Sequence, residues 1–402
     1  MITINTAESA LKNIYLETVI EDINNKTNPF LTMIGKNTKT IAEKDAKAYI
    51  RYGNEGSVIA AEEDGALPTS TEKIAEISVP LKNLFGTFQI TDKAIKAAQN
   101  SPGAFASLIG GEMKNLVATA QANLNRMVYG NGNPYLGFTT DIGSTSVVVP
   151  TQFVRNFHVG QTFNVFNANN ERQNTNGPLT VSAINATTGT INFTGGGVPA
   201  SGFPWDRVYL YADDAKNLEM NGIDSIFMPG NLYNLNRAQH PEILPFQRSV
   251  RGSASNPHVI INEDNVLDFL YGIEEHAQTM PTDLILTHPV VQKALFENLR
   301  GTRTNIDTAE LAGGFRGFSF NGIPMHSDVR CMGGTVYALN TEGWAMQQLV
   351  DWTWLEGDDG SILRPVNGRP VFNATLVKYA DLVCEKPFLQ GKLSGHSASR
   401  WR

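Results

Sequence analysis

Three features of the 402-residue sequence predict a mixed α+β fold. Residues 101–130 carry apolar side chains at steps of three and four, as one long helix does. Residues 139–212 alternate apolar and polar residues between Gly-centred turns, as short strands do. The last third alternates helical and strand-like segments. A content of 41% hydrophobic and 18% charged residues is that of a folded chain and argues against disorder. At about 150 residues per domain, the length allows two or three domains.

The elements follow in order along the chain. Residues 7–24 place Leu11, Ile14, Tyr15, Val19, Ile20 and Ile23 on one helical face, with Thr6 as N-cap. Glu17, Glu21 and Asp22 on the opposite side do not suit an anionic lipid surface, so the apolar face is expected to dock on protein. Two strand-like runs, "KAYIRY" and "AEISVPL", then flank the polar stretch Gly53 to Ile77, within a hairpin-like arm over 40–90. An isolated hairpin is marginally stable in water, and these strands carry little apolar surface of their own. The arm is therefore expected to lie on a neighbouring copy.

In the long helical segment Ser101 is the cap, Pro102 the first helical residue and Gly130 the stop. Phe105, Leu108, Ile109, Met113, Leu116, Val117, Ala120, Leu124, Met127 and Val128 form its apolar face. At about 1.5 Å per residue the helix spans about 42 Å, and Gly110–Gly111 is the candidate bend. Residues 131–212 hold six charged side chains in 82 and read as a small inserted β-barrel or sandwich. Residues 216–262, with Pro229, Pro241, Pro245 and Pro257, read as irregular. "DNVLDFLYGIEEHAQ" and "PVVQKALFENLRG" are helices around the buried strand "DLILT", followed by a long loop, "TRTNIDTAELAGG". The strand-like "GFSFNGIPMHSD", "GTVYALN", "LVDWTWLEG" and "PVFNATLVKYADLVCEKP" complete the chain, with Gly357 to Gly360 as a turn.

A net charge of -7 opposes a strong nonspecific grip on nucleic acid, which comes from Lys and Arg replacing counterions along phosphates. Two cysteines, Cys331 and Cys384, fit a reducing compartment. No apolar run is long enough to span a membrane, and no secretory leader is recognised, so the sequons at Asn25 and Asn373 are accidental. Phosphate-loop, H-E-x-x-H and C-x-x-C motifs are absent. Ser319 in "GFSFN" approaches a nucleophile elbow but lacks the second Gly and sits in strand-like alternation. The seven histidines (158, 240, 258, 276, 288, 326, 396) have no ligand spacing, and His288-Pro289 reads as a strand end meeting a helix start. Glu62, Glu63 and Asp64 read as a solvated charge run, or one facing a basic patch on a neighbour. Trp344, Trp352 and Trp354 invite a sugar platform, but the alternation of Trp352 and Trp354 points to one buried strand face. No catalytic, cofactor-binding or metal residue is assigned, and no cofactor is expected.

A docking helix, a protruding arm and a long loop after Arg300 are surfaces that a monomer leaves underused, as an assembly protein does not. The order of N-terminal arm, hairpin loop, long helix ending in "YGNGNPYLGF", and α/β region closing with "GFSFNGIPMHSDVRCMGGTVYALNTEGW" resembles the major capsid protein of tailed bacteriophages, the Hong Kong 97 type fold. "NGIPM", followed by the Gly333-Gly334 turn into "TVYALN", is the most telling stretch. The resemblance implies an N-terminal arm (1–39), an extended loop over an adjacent subunit (40–90), a peripheral domain with a spine helix (91–138), an inserted β-domain (139–212), an axial α/β domain (213–348) and a return to the peripheral domain with a C-terminal tail (349–402). It implies a non-enzymatic coat protein of the virion, made in the bacterial host cytoplasm. Its hexamers and pentamers would form an icosahedral shell around double-stranded DNA without tight binding. It would have scaffold, portal and decoration proteins as partners and no membrane.

Two features depart from that family's pattern. The docking helix starts almost at Met1, so a separate scaffold or prior processing is implied in place of an N-terminal scaffolding segment. Where some relatives form Lys–Asn cross-links assisted by a Glu seven residues after the Asn, Asn373 is followed at that distance by Ala380, with Asp381 beside it. Lys39, Lys44, Lys47, Lys73 and Lys82 would supply the amine, but no placed general base makes the chemistry expected. The alternatives are an encapsulin-like nanocompartment shell and, from another class, a glycan-active enzyme using the Trp residues.

Overall fold

The computed structural model describes residues 23, 28–38, 41–42, 44–54, 72–98, 102–139, 141–167, 171–174, 176–197, 208–213, 218–250, 261–302, 308–311, 315–358 and 360–395. Of the N-terminal helical segment only Ile23 is described, helical and fully buried. The charge run at Glu62 to Asp64 and the cap at Ser101 lie outside the described residues. The chain forms two compact units, one of Met1–Tyr129 with Gly222–Arg402 and one of Gly130–Asn221.

In the first unit a five-stranded sheet is organised by the strand Val371–Cys384. Antiparallel to it run Trp344–Trp354 on one edge and Lys82–Thr91 on the other. The edge strand Gly35–Asn37 joins Trp344–Trp354 in parallel. Leu84, Phe88 and Ile90 alternate inward, and the long helix, Pro102–Val128, covers that face with Met113 and Leu116 buried. Contact is close because Gly86 lacks a side chain: a Cβ there would lie 2.9 Å from Leu116 Cδ1. The helix runs unbroken through Gly110–Gly111.

The arm's two strands, Asp45–Asn54 and Glu72–Pro80, pair antiparallel, and their tip lies outside the described residues. Ala46, Ala48, Ile50, Ala75, Ile77 and Val79 are buried on one face at the arm's base. The turn at Pro241–Ile243 packs on the first strand, and Asn234 accepts from Ser78 N at 3.1 Å, so the chain covers its own arm base.

A seven-stranded mixed sheet forms the α/β part, in the order Phe246–Ser249, Gly391–Ser394, Val336–Leu339, Leu284–Thr287, Ile323–Ser327, Phe315–Phe320, Thr308–Leu311. The helices Glu263–Ala277 and Pro289–Thr302 pack on it through Val266, Phe269, Ile273, Val291 and Leu295. Asn262 caps the first by accepting from Asn265 N, with Glu263 and Asp264 in the first turn facing the positive end of the helix dipole. Leu284–Thr287 and Val336–Leu339 are buried throughout, as strands covered on both faces must be, which is why they read as unbroken apolar runs. Asn321-Gly322, both at positive φ, make the tight turn between their two strands. The long loop expected after Arg300 contains a strand instead, Thr308–Leu311, which pairs with Phe315–Phe320 as a hairpin.

Among the described residues the second unit is all β apart from one short helix, Thr151–Val154. Its seven strands run in the order Tyr135–Thr139, Val208–Ala212, Thr162–Phe166, Leu179–Asn185, Thr190–Thr194, Ser146–Val148, Asp141–Ile142. The first and last strands in this order adjoin in sequence across residue 140. Phe163, Val165, Leu179, Ile191, Phe193 and Leu210 fill the unit's interior. Gly189, at φ 72°, makes a turn that only Gly allows, because a Cβ there would collide with Val149 O. The unit takes in Tyr135–Thr139, most of which precedes the insert expected over 139–212, because that strand pairs with Val208–Ala212. Its two ends meet where Gly132 approaches the Asn221 side chain.

Two outcomes are expected. Gly391→Ala drives a methyl into Ile273 Cδ1 and sets it 2.9 Å from Phe269. Chemical denaturation should show a loss of about 1–3 kcal/mol from overpacking. A fragment of residues 130–221 should melt cooperatively on its own, followed by circular dichroism, because its core and its ends are internal to the unit.

Candidate assembly site

The residues considered for chemistry do not converge. Ser319 is a half-buried strand residue opposite Pro324, with no strand-to-helix turn around it. His158 and His276 are exposed, and the latter bonds Leu244 O. His288 accepts from Val290 N at the start of its helix, and His326 is buried in a strand. His258 and His396 lie outside the described residues. Among the described residues no three His, Cys, Asp or Glu side chains are placed to hold a metal. Trp352 and Trp354 are buried, Trp354 edge-on to Phe88 at 5.9 Å, and Trp344 is edge-on to Phe30 at 5.6 Å. None of the three presents a ring face for a sugar.

The cross-linking geometry is likewise incomplete. Asn373 is half-buried opposite Gln89, and Asp381 is fully buried and accepts from Leu382 N. Lys47 pairs with Glu76 at 3.2 Å, Lys44 is exposed and Lys82 half-buried. Lys39 and the Lys73 side chain lie outside the described residues.

The organising sheet instead offers a surface. One face is covered by the long helix. On the other, Phe85 is 61% exposed, with Tyr379 edge-on at 6.4 Å, and Thr87 pairs with Thr375. Leu349 and Val350, at a bulge beside Tyr379, are exposed too. The outer face of the arm adds Tyr49 and Ile74. Apolar residues grouped in this way on open sheet faces mark sites that other proteins cover.

Beneath this face lies a buried charge. Lys378 is 1% exposed; its Nζ donates to Asp351 Oδ1 at 2.6 Å and to Gln348 Oε1 at 3.0 Å, and stands 5.8 Å from the Trp352 ring centroid. Lys36, on the edge strand, reaches the other Asp351 oxygen at 3.7 Å. Burial pushes the Asp351 carboxyl up, but the Lys378 ammonium, their hydrogen bond, the Trp352 backbone N–H and Lys36 together hold it below its ordinary value. Burial pushes the Lys378 amine down, and Asp351 only partly restores it. The enclosed lysine bears most of the desolvation while the half-exposed acid keeps some water, so the pair fixes geometry more than it stabilises.

A second polar cluster joins three parts of the same unit. The Asn28 side chain, fully buried, donates toward Asn125 Oδ1 (2.8 Å), Tyr129 Oη (3.1 Å) and Asp328 Oδ2 (3.2 Å), and caps the helix Pro29–Met33 by accepting from Phe30 N at 2.9 Å. Asn125 also donates to Asp328 Oδ2 at 2.9 Å. None of these residues, nor Lys378 and Asp351, stood out in the sequence. The one available signal was a lysine inside the apolar run "TLVKYADLV".

No family model matches the chain, and no curated protein sequence matches it. Solved structures do. The capsid asymmetric unit of cyanophage A-1(L) superposes over 92% of each chain at 13% identity with a TM-score of 0.55. The holo-SrpI encapsulin complex of Synechococcus elongatus PCC 7942 covers 94% of this chain and 90% of its own at 8% identity and 0.47, and the capsid of Myoviridae phage XM1 covers 90% of both at 9% and 0.44. The cyanophage match carries the assignment: the fold is that of a phage capsid protein, of the Hong Kong 97 type.

Asp351→Ala leaves Lys378 buried without its carboxylate and is expected to lower stability by about 3 kcal/mol in denaturant titration. In the unaltered chain the Asp351 contribution is present above the ordinary carboxylate value of 3.8 and lost as pH falls through its lower folded value. Asp351→Asn should therefore flatten that acid limb of the stability profile.

Proposed function

We propose that this chain is the major capsid protein of a tailed bacteriophage, assembling as hexamers and pentamers into an icosahedral head shell around double-stranded DNA. The observation that carries this reading is the superposition on a phage capsid subunit over 92% of both chains. The exposed apolar faces around Phe85 and Tyr49 support it. A structural role needs extensive surface for contact between copies. Among the described residues no helix is long and apolar enough to cross a membrane. On this reading the protein resides in the virion, after assembly in the bacterial cytoplasm with a scaffold, a portal and a decoration protein as partners.

The wall would confine DNA rather than grip it. At -7 per copy, a shell of many subunits gains little from counterion release on binding phosphate, and duplex can slide along it during filling and emptying. Electron microscopy of the purified protein tests the assembly: closed shells or capsomers are expected, and a small oligomer with no tendency to form shells would remove the reading. Shells that form with protein cargo and never with DNA would instead identify a nanocompartment. Titration of unassembled subunits with duplex DNA at physiological salt, where the Debye length is about 8 Å, should show no submicromolar, steeply salt-dependent binding.

A further inference from the structure

We propose that Asn28 and Asp328 form a latch that holds residues 28–37 as a detachable strap on a body able to stand without it. The strap is weakly built on its own account. Its helix, Pro29–Met33, has five residues, far below the length that persists unaided in water, and its strand, Gly35–Asn37, makes three parallel pairings on one edge. Phe30, Leu31 and Ile34 are its buried apolar anchors, and Lys36 its ion pair to Asp351. Asn28 fixes the start of this segment by directing two amide hydrogens at three acceptors on the end of the long helix and on the turn after Ile323–Ser327.

The receiving half is complete by itself. Asn125 donates to Asp328 Oδ2, and Asp328 Oδ1 accepts from Arg330 N within its own turn. Withdrawal of Asn28 therefore leaves the Asp328 carboxylate bonded to Asn125 and to Arg330 N, where removing one member of most buried networks strands a charged group. Burial, then the Asp328 charge, pushes the Tyr129 phenol well up. Opening would bare the Trp344 ring against which Phe30 packs, and the edge of Trp344–Trp354 that pairs with Gly35–Asn37. An open strand edge beside an exposed indole is a surface that another strand can take. The latch thus sets which of two positions the N-terminal segment occupies, and this holds for the single chain whether or not the shell reading does.

Hydrogen exchange on the full-length, unassembled chain tests it. Asn28→Asp keeps the oxygen that caps Phe30 N but removes the donors and sets a second carboxylate toward Asp328. Asn125→Ala leaves the cap untouched and removes a latch partner. Both should speed exchange of amides 30–37 by about tenfold or more, with Leu284–Thr287 and Val336–Leu339 within about twofold of the unaltered chain. Unchanged exchange in 30–37 would mean that Asn28 is only a helix cap and would overturn the latch, as would equal acceleration throughout the body. Should either variant fail to fold, the unaltered chain in sub-denaturing urea decides: the strap should open at a lower denaturant concentration than the body strands, and coincident opening would overturn the proposal.

Discussion

The fourteen-residue strand Val371–Cys384 is the constraint on which the larger unit depends. It is paired along both edges, so it ties Lys82–Thr91 from the first quarter of the chain to Trp344–Trp354 from the last. Through those two it also carries the long helix on one face and the N-terminal strap at one edge. Nothing local closes this sheet. The ends of a very long loop must meet before the pairing with Lys82–Thr91 can form, which makes the topology slow to form and cooperative once formed.

A strand enclosed on both sides restricts what it can carry. Lys378 is tolerated in it because Asp351 and Gln348 meet its ammonium and Trp352 lies across from it. The α/β sheet repeats the arrangement: Lys392 bonds Asp224, which also accepts from Tyr337 Oη at 3.0 Å, and the ammonium stands 5.8 Å from the Phe227 and Tyr337 ring centroids. Burial, then Asp224, pushes the Tyr337 phenol well up and keeps it a donor. Such enclosed pairs add little net stability, but they penalise any packing that separates the partners.

The same division separates body from surface. Charged and polar groups inside serve alignment, while the outer sheet face near Phe85 and the arm near Tyr49 keep apolar side chains in water. The β-sheet of the second unit takes the opposite course: its apolar side chains fill an interior of its own.

Local pattern alone decided much of this. Periods of 3.6 and 2 identified the helix Pro102–Val128, the helices around Leu284–Thr287, the alternating strands of the second unit and the buried face of Trp352 and Trp354, because the side-chain direction of a residue depends on its own backbone. Turn chemistry announced Asn321-Gly322 only as part of a motif. Period 2 tells which face a strand buries and never which strand lies beside it. Accordingly Thr308–Leu311 read as loop until Phe315–Phe320 paired with it, and nothing local marked Pro241–Ile243 and Asn234 as neighbours of the arm's base. The polar contacts were the least legible. Asn28, Asn125 and Asp328 are ordinary surface residue types in the sequence, and only the tertiary fold, by bringing three distant segments within 3.2 Å, makes one hydrogen-bonded cluster of them, since whether a polar group is satisfied depends on distance in space and not along the chain.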